Sequence, residues 1–389
     1  MLAASHPHGV ASNAYVDVNL TAFVPSMDVR RQAMADAGKN IDWDKVKAFA
    51  GLMTNDIGAA LQGALTYIGD RLGIFKALAS APANVEELAE RTSLNQRYLR
   101  EWLGAMTAAR YIDYNPAMAR YSISPEHAMI LADETSQFYM GGFMQMIVPE
   151  VAMAPKLMES FRTGRGLPQS EYPPEVFEAI ERGSAPIYRH QLLRKWIPAM
   201  PEVEAKLKQG AIALDVGCGS GRATMALATA FPNSQFHGYD AHPGSVERAR
   251  ANAAAAGFAA RTSFDVVDCT KLPPAKFDFI TAFDVIHDSV DPVGLLSSIR
   301  QALKPDGAFL MVEVNVSAQL EDNINPMGRM MYSVSTLYCM TVSLAHGGAG
   351  IGALMGEPKA RELAAEAGFG KFTRLPVKDA FSVLYELRP

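Results

Sequence analysis

The segment ALDVGCGSGR, residues 213–222, constrains this chain more than any other. It opens as an apolar strand ending near an acid, Asp215, and then places Gly217, Gly219 and Gly221 at alternate positions before a helical run. Glycine is required where the backbone takes positive φ or where a ligand must touch the main chain. A strand, a glycine turn and a helix in that order open a doubly wound α/β domain, whose ligands sit at the carboxyl ends of the strands. The spacing is G-x-G-x-G, with Arg222 where a dinucleotide fingerprint has its third glycine, which counts against a nicotinamide cofactor.

The region after residue 211 sustains that pattern. AIALDV, QFHGYD, SFDVV, FDFITAF and GAFLMVEV read as short apolar strands, with RATMALATAF, PGSVERARANAAAAG and PVGLLSSIRQAL as helices between them. FTRLPV and FSVLYEL add two late strands, so seven are expected, with an insertion over 316–356 rich in Met, Tyr and Gly. The second strand ends in Asp240, placed to accept the hydroxyls of a ribose. The third ends in Asp268, with Cys269 beside it, placed to receive an adenine amino group. Acids at three successive strand ends suit a cofactor with an amino group, a ribose and an adenine but no pyrophosphate, which describes S-adenosylmethionine (SAM).

The N-terminal part has another texture. Residues 1–40 show weak periodicity and read as an arm; His6 and His8 lack the partners of a metal site. From Asp42 the apolar spacing is helical, through Val46, Phe49, Leu52, Met53, Leu61, Leu65, Ile68 and Leu72. Asn84 with Glu87 predicts a capping box, and Ser93 or Asn95 a second cap, ahead of a helix whose Leu99, Trp102, Leu103 and Met106 share one face. Tyr111–Tyr114 and Arg120–Ile123, around Asn115-Pro116, predict a hairpin. Two helices and a hairpin make a winged helix. Residues 1–135 carry 12 Lys/Arg against 15 Asp/Glu, the wrong balance for a DNA-binding face, so the expectation is a dimerisation module and no nucleic acid. The expected organisation is an arm over 1–40, a mainly helical winged-helix domain over 41–135, a Met-rich helical linker and substrate lid over 136–205, and the α/β domain over 206–389.

With these motifs in place, the chain resembles the class I SAM-dependent methyltransferases. D-V-G-C-G-S-G is close to that family's signature, and the order of acids matches. The winged helix, Met-rich linker and C-terminal domain together look like the small-molecule O-methyltransferases that form intertwined homodimers. The resemblance spans roughly 43–389. It implies a seven-stranded Rossmann-like sheet, SAM as cofactor with S-adenosylhomocysteine as product, and cofactor contacts at Asp215, Gly217, Cys218, Gly219, Gly221, Asp240, Asp268, Cys269 and Phe283.

Methyl transfer from a sulfonium needs acceptor and methyl held in line, and a base if the acceptor is a hydroxyl. In the resembled enzymes an H-D pair after the fourth strand supplies a catalytic histidine. TAFDVIHDSVDP, residues 281–292, places His287 and Asp288 there, and Glu313 at the end of the fifth strand falls where a glutamate orients that histidine. Two departures stand out. Ser289 replaces the usual tryptophan, and Glu357 lies a few residues out of register for a second glutamate. The acceptor pocket is expected from 136–160 and 316–356, with Met144, Arg329, Tyr332 and Tyr338 as substrate candidates. Met330 and Met331 are further ones. The expected function is methyl transfer to a small-molecule hydroxyl with His287 as base. The alternatives are an S- or N-methyltransferase working mainly by proximity, and a SAM-responsive winged-helix DNA-binding regulator. Cys218, Cys269 and Cys339 form no metal or disulfide pattern, and no metal is expected. A net charge of −5 and no long apolar run fit a cytoplasmic protein without a membrane partner.

Overall fold

The computed structural model describes residues 41–389; the arm expected over 1–40, with His6 and His8, lies outside the described residues. The chain divides into two compact units, the first ending at Gly63 and the second running from Ala64 to Pro389. In the first, residues 43–63 belong to helix α1 (Trp43–Arg71). Val46, Phe49, Leu52, Met53, Ile57 and Leu61 are exposed on it.

The second unit begins with a winged helix. After Arg71, Gly73 turns the chain with φ of 69° into α2 (Ile74–Ser80). The α3 helix (Val85–Thr92) carries the expected capping box between Asn84 and Glu87. In α4 (Gln96–Ala108) the Asn95 side chain accepts from Arg97 and Tyr98 N–H. Leu99, Trp102, Leu103 and Met106 are all buried, as one helical face should be. Trp102 Nε1 donates to Leu65 O at 2.8 Å, so the indole buries its ring without stranding its N–H. The wing is the antiparallel pair β1 (Asp113–Asn115) and β2 (Arg120–Ser122). On the exposed side of α4, Arg97 pairs with Glu101 at 2.5 Å.

Four helices follow: α5 (Pro125–Leu131), α6 (Gly141–Val151), α7 (Ala154–Thr163) and α8 (Pro174–Ile187). The last runs on as a π-helical turn over Tyr188–Trp196 and is followed by α9 (Pro201–Gln209). Helices α6 and α8 cross where a side chain at Gly142 would meet the backbone N of Gly183 at 2.2 Å, so only glycine allows that approach. The pair is then locked by polar groups. Arg182 on α8 donates to Asp70 at 2.8 Å and to Gln145 on α6 at 2.5 Å, and Tyr139 donates to Asp70 at 2.6 Å. Asp70 and Gln145 are buried. This lock ties Asp70 at the end of α1 to α6 and α8.

The remaining elements are β3 (Ile212–Val216), α10 (Arg222–Ala230), β4 (Gln235–Asp240), α11 (Pro243–Ala255), β5 (Thr262–Val266), β6 (Phe277–Phe283), α12 (Pro292–Ala302) and β7 (Leu303–Val314). Beyond them come α13 (Pro326–Val334), a π-helical turn over Ser335–Cys339, α14 (Met340–Ala345), α15 (Gly356–Glu366), β8 (Lys371–Arg374) and β9 (Ser382–Arg388). The predicted seven-stranded sheet is present, ordered β5-β4-β3-β6-β7-β9-β8. The first five strands of that order are parallel and β9 runs antiparallel to both its neighbours. Both faces are covered, which is why the strands read as nearly continuous apolar runs. Phe309 and Met311 of β7 enter one core, with Ile280, Leu296 and Leu363. Leu310 and Val312 enter the other, with Trp196, Leu227 and Leu384. The chain order reverses between β3 and β6, so ligands are expected at the carboxyl ends of these two strands.

Removing one partner of a buried pair leaves an uncompensated charge. Arg182→Met should therefore lower the unfolding free energy by about 3 kcal/mol, read as an earlier urea midpoint. A loss below about 1 kcal/mol would show that the pair behaves like a surface one.

Candidate functional site

A cavity of about 830 Å³ opens at the carboxyl ends of β3, β4 and β6. Its size lies in the upper range of small-molecule sites. One wall is the glycine turn. Gly217, Gly219 and Gly221 all have positive φ, of 66°, 52° and 75°. A side chain at Gly217 would meet Val285 at 2.5 Å, so glycine lets the turn lie against the segment leaving β6. Cys218 Sγ faces Gly219 O at 3.8 Å.

Asp240 joins that wall. Its Oδ2 accepts from Gly219 N–H at 2.9 Å and its Oδ1 from His242 N–H at 2.8 Å. Burial raises its pKa against these two bonds. The His242 ring stacks on Phe177 with centroids 4.5 Å apart, and both line the cavity. Asp268 also lines it, held by Thr270 N–H and hydroxyl at 3.1 and 2.6 Å and by Lys271 at 3.0 Å. The Thr270 bonds and the lysine hold its carboxyl down at about 2. Cys269 is on the wall too, its thiol pushed up to about 12 by burial. Phe283 completes this half, 5.0 Å from the Tyr188 ring and 5.9 Å from Trp196.

Two of the predicted cofactor residues lie off the cavity wall: Gly221, where a side chain would meet Phe264 at 2.7 Å, and Asp215. Asp215 is buried. Its two oxygens accept from Thr224 at 2.9 Å and Thr281 at 2.8 Å, the latter its direct partner on β6. Burial pushes its carboxyl up to about 7. Its acid therefore braces the start of the turn from inside the sheet.

The other half of the cavity is built on His287. Its segment is a short turn over Ile286–Asp288 at the end of β6. His287 Nδ1 donates to Glu313 Oε2 at 2.5 Å, and Glu313 Oε1 accepts from Ile286 N–H at 3.1 Å. Glu313 shares the β7 face of Met311, so strand alternation points it at this turn. His287 Nε2 lies 3.1 Å from Asp288 Oδ1. Cys339 Sγ belongs to the same cluster, within 4.8 Å of the His287 and Asp288 atoms. Burial works against a charged imidazole, but Asp288 and Glu313 outweigh it and raise the pKa of His287 well above 6.5. Asp284, with a positive φ of 55°, faces the cavity, and the recess pushes its carboxyl up to about 7. Left-handed backbone is tolerated better by Asp than by most residues.

The predicted acceptor residues divide by helix face. On α6, Phe143, Met146 and Glu150 line the cavity at i, i+3 and i+7, which leaves Met144 on another face. On α13 and the turn after it, Met330, Met331, Val334 and Tyr338 line it, while Arg329 and Tyr332 do not. Of the four candidates, Met144, Arg329 and Tyr332 lie off this wall and Tyr338 lies on it. Glu357 is also elsewhere, paired with Arg361 at 2.6 Å and Arg374 at 3.0 Å. Sequence reasoning missed the stripe Phe177, Ile180, Ser184, Ile187 and Tyr188 on α8 and its π turn, which follows the helical period. It also missed Glu150.

The match to known proteins accords with this geometry. Residues 207–368 match the methyltransferase domain family, and residues 60–133 the Rv2258c-like winged HTH domain family. A trans-aconitate 2-methyltransferase of Methylobacterium radiotolerans is 30% identical over 126 residues, 32% of this chain and 44% of that protein. The chain therefore spans under half the length of that curated relative. Two solved structures resemble the methyltransferase domain together with the winged helix. One is a Nostoc punctiforme protein assigned to the O-methyltransferases, with TM-score 0.67 and 19% identity, covering 87% of this chain and 98% of that one. The other is human N-acetylserotonin methyltransferase in complex with SAM, with TM-score 0.62 and 18% identity, covering 87% and 96%. At such identities the likeness is one of fold.

Proposed function

We propose that the chain is a SAM-dependent methyltransferase acting on a small-molecule hydroxyl, with His287 as general base. The observation that carries this is the Glu313–His287 pair set on the same cavity as the glycine turn. Gly217, Cys218, Gly219, Asp240, Asp268, Cys269 and Phe283 would hold the cofactor. No heavy atom lies within 4 Å of where a Gly219 side chain would stand, which leaves the turn open there, and the Asp240 carboxylate is fixed beside it. Bound SAM supplies a methyl group already activated on a sulfonium. The protein's remaining task is to position the acceptor and take its proton.

Glu313 fixes the ring through Nδ1, so Nε2 is the atom that receives the proton. Asp288 is the partner it must leave for that purpose. The base form of His287 is the neutral imidazole. Asp288 and Glu313 both favour the imidazolium, and the Cys339 thiol, pushed up to about 12, stays neutral beside it. The resting ion pair with Asp288 also favours a second reading, in which a thiol or amine acceptor is methylated mainly by proximity.

S-adenosylhomocysteine should raise the melting temperature by mass action, and NAD should not; the reverse result would sink the cofactor assignment. His287→Ala should cut turnover by about 10²-fold or more with S-adenosylhomocysteine binding intact. A loss under about tenfold would favour proximity. In the wild type, kcat/KM should fall as pH drops through a midpoint above 6.5, because the base is protonated there. Glu313→Gln removes a charge that favours the imidazolium, so that limb should move to lower pH while the rate falls. An unmoved limb would detach the titration from His287.

The winged helix and the preceding helix are proposed to form a homodimer, supported by the exposed apolar side chains along α1. The double substitution Phe49→Glu, Leu61→Glu should halve the mass measured by light scattering; a monomeric wild type would refute the dimer. Among the described residues no helix is long and apolar enough to cross a membrane.

A further inference from the structure

Glu150 stands on the last turn of α6, on the same face as Phe143 and Met146, and lines the cavity. It is 3% exposed, and its Oε1 has no hydrogen-bond partner. The nearby Tyr172 hydroxyl, and Gln169 on the cavity wall, are engaged elsewhere. The Tyr172 hydroxyl donates to Leu337 O at 2.5 Å, and Gln169 Nε2 donates to the Tyr338 hydroxyl at 3.0 Å. Met146, Met331, Val334 and Val342 make much of the neighbouring wall apolar. A carboxyl group so placed is a cost to the fold, because a buried acceptor has lost water and gained nothing. A donor arriving with a ligand would remove that cost.

We infer that Glu150 is an acceptor-recognition residue, its free carboxyl oxygen taking a hydrogen bond from a hydroxyl or amine that the acceptor carries in addition to the group presented to His287. The acceptor class is then a molecule with two polar groups on an apolar frame, such as a dihydroxy- or amino-substituted aromatic, in preference to a simple phenol. The inference rests on the methyltransferase reading for what lies at the other end of the cavity. Burial alone pushes the Glu150 carboxyl up to about 8, so near neutral pH it is mainly the uncharged acid, whose carbonyl oxygen accepts from a ligand hydroxyl or aromatic N–H. Sites built to bond a ligand hydroxyl or N–H discriminate strongly against analogues that lack it.

The test compares wild type, Glu150→Leu and Glu150→Gln. Thermal shift is measured with resorcinol, 3-aminophenol and 3-methylphenol, each with and without S-adenosylhomocysteine. Glu150→Leu removes the unmet oxygen and should melt above the wild type. The wild type should bind resorcinol and 3-aminophenol about tenfold or more tightly than 3-methylphenol, and Glu150→Leu should bring the three together. Glu150→Gln keeps a neutral acceptor oxygen, so it should retain the preference for both resorcinol and 3-aminophenol. If wild type and Glu150→Leu respond alike to the panel, including no response at all, the proposal is overturned. It is likewise overturned if both variants melt below the wild type, since that marks a structural carboxylate. Loss of the S-adenosylhomocysteine shift in the wild type counts against the cofactor assignment alone, because the panel is also read without it.

Discussion

Everything in the site follows from the reversal of strand order beside β3. With β4 hydrogen-bonded on one side and β6 on the other, the connections leave toward opposite faces of the sheet. The carboxyl ends of these strands therefore open into a crevice. β3 contributes the glycine turn, β4 Asp240, β6 the segment from Asp284 to Asp288, and β7 Glu313. Gly217 is the point where two of these contributions touch, since its missing side chain leaves room for Val285.

The electrostatics of the two halves differ in kind. On the turn side, acids are held by backbone N–H groups, hydroxyls or a lysine, and they serve as fixed acceptors. On the His287 side, acids crowd one imidazole in a recess and favour its charged form. A base that starts as part of an ion pair is well oriented but must be released to act, which couples the geometry of Asp288 to any chemistry at Nε2. Glu150 is a further acid on the wall, and its Oε1 has no such partner. The lock of Arg182 with Asp70 and Gln145 matters here because α6 and α8 carry cavity residues on the faces they turn away from it.

Much of the fold was legible locally. Caps, glycine turns and apolar runs are short-range signals, and they located the capping box at Asn84, the winged helix and all seven strands. The His287–Glu313 contact was anticipated from the family resemblance, and it forms where two strand ends of the parallel sheet reach the same crevice. Side-chain direction on the covering helices was not. Met144 and Met146 are equally suitable by type, as are Tyr332 and Tyr338. Only the rotation of each helix against the sheet domain decides which of each pair meets the cavity. Asp215 shows the same limit. Its position at a strand end suggested a ligand contact, but its register with Thr281 and the nearby Thr224 hydroxyl draw it inward.

The sequence by itself determined a glycine-turn α/β domain with acids at successive strand ends and a histidine after the fourth strand, because these depend on residues close together in the chain. Tertiary structure alone decided that Cys339 shares the histidine's surroundings, that α8 walls the cavity, and that Oε1 of Glu150 lies in that wall unpaired. Those facts depend on packing between segments up to two hundred residues apart, and no local pattern encodes the direction in which a buried side chain finally points.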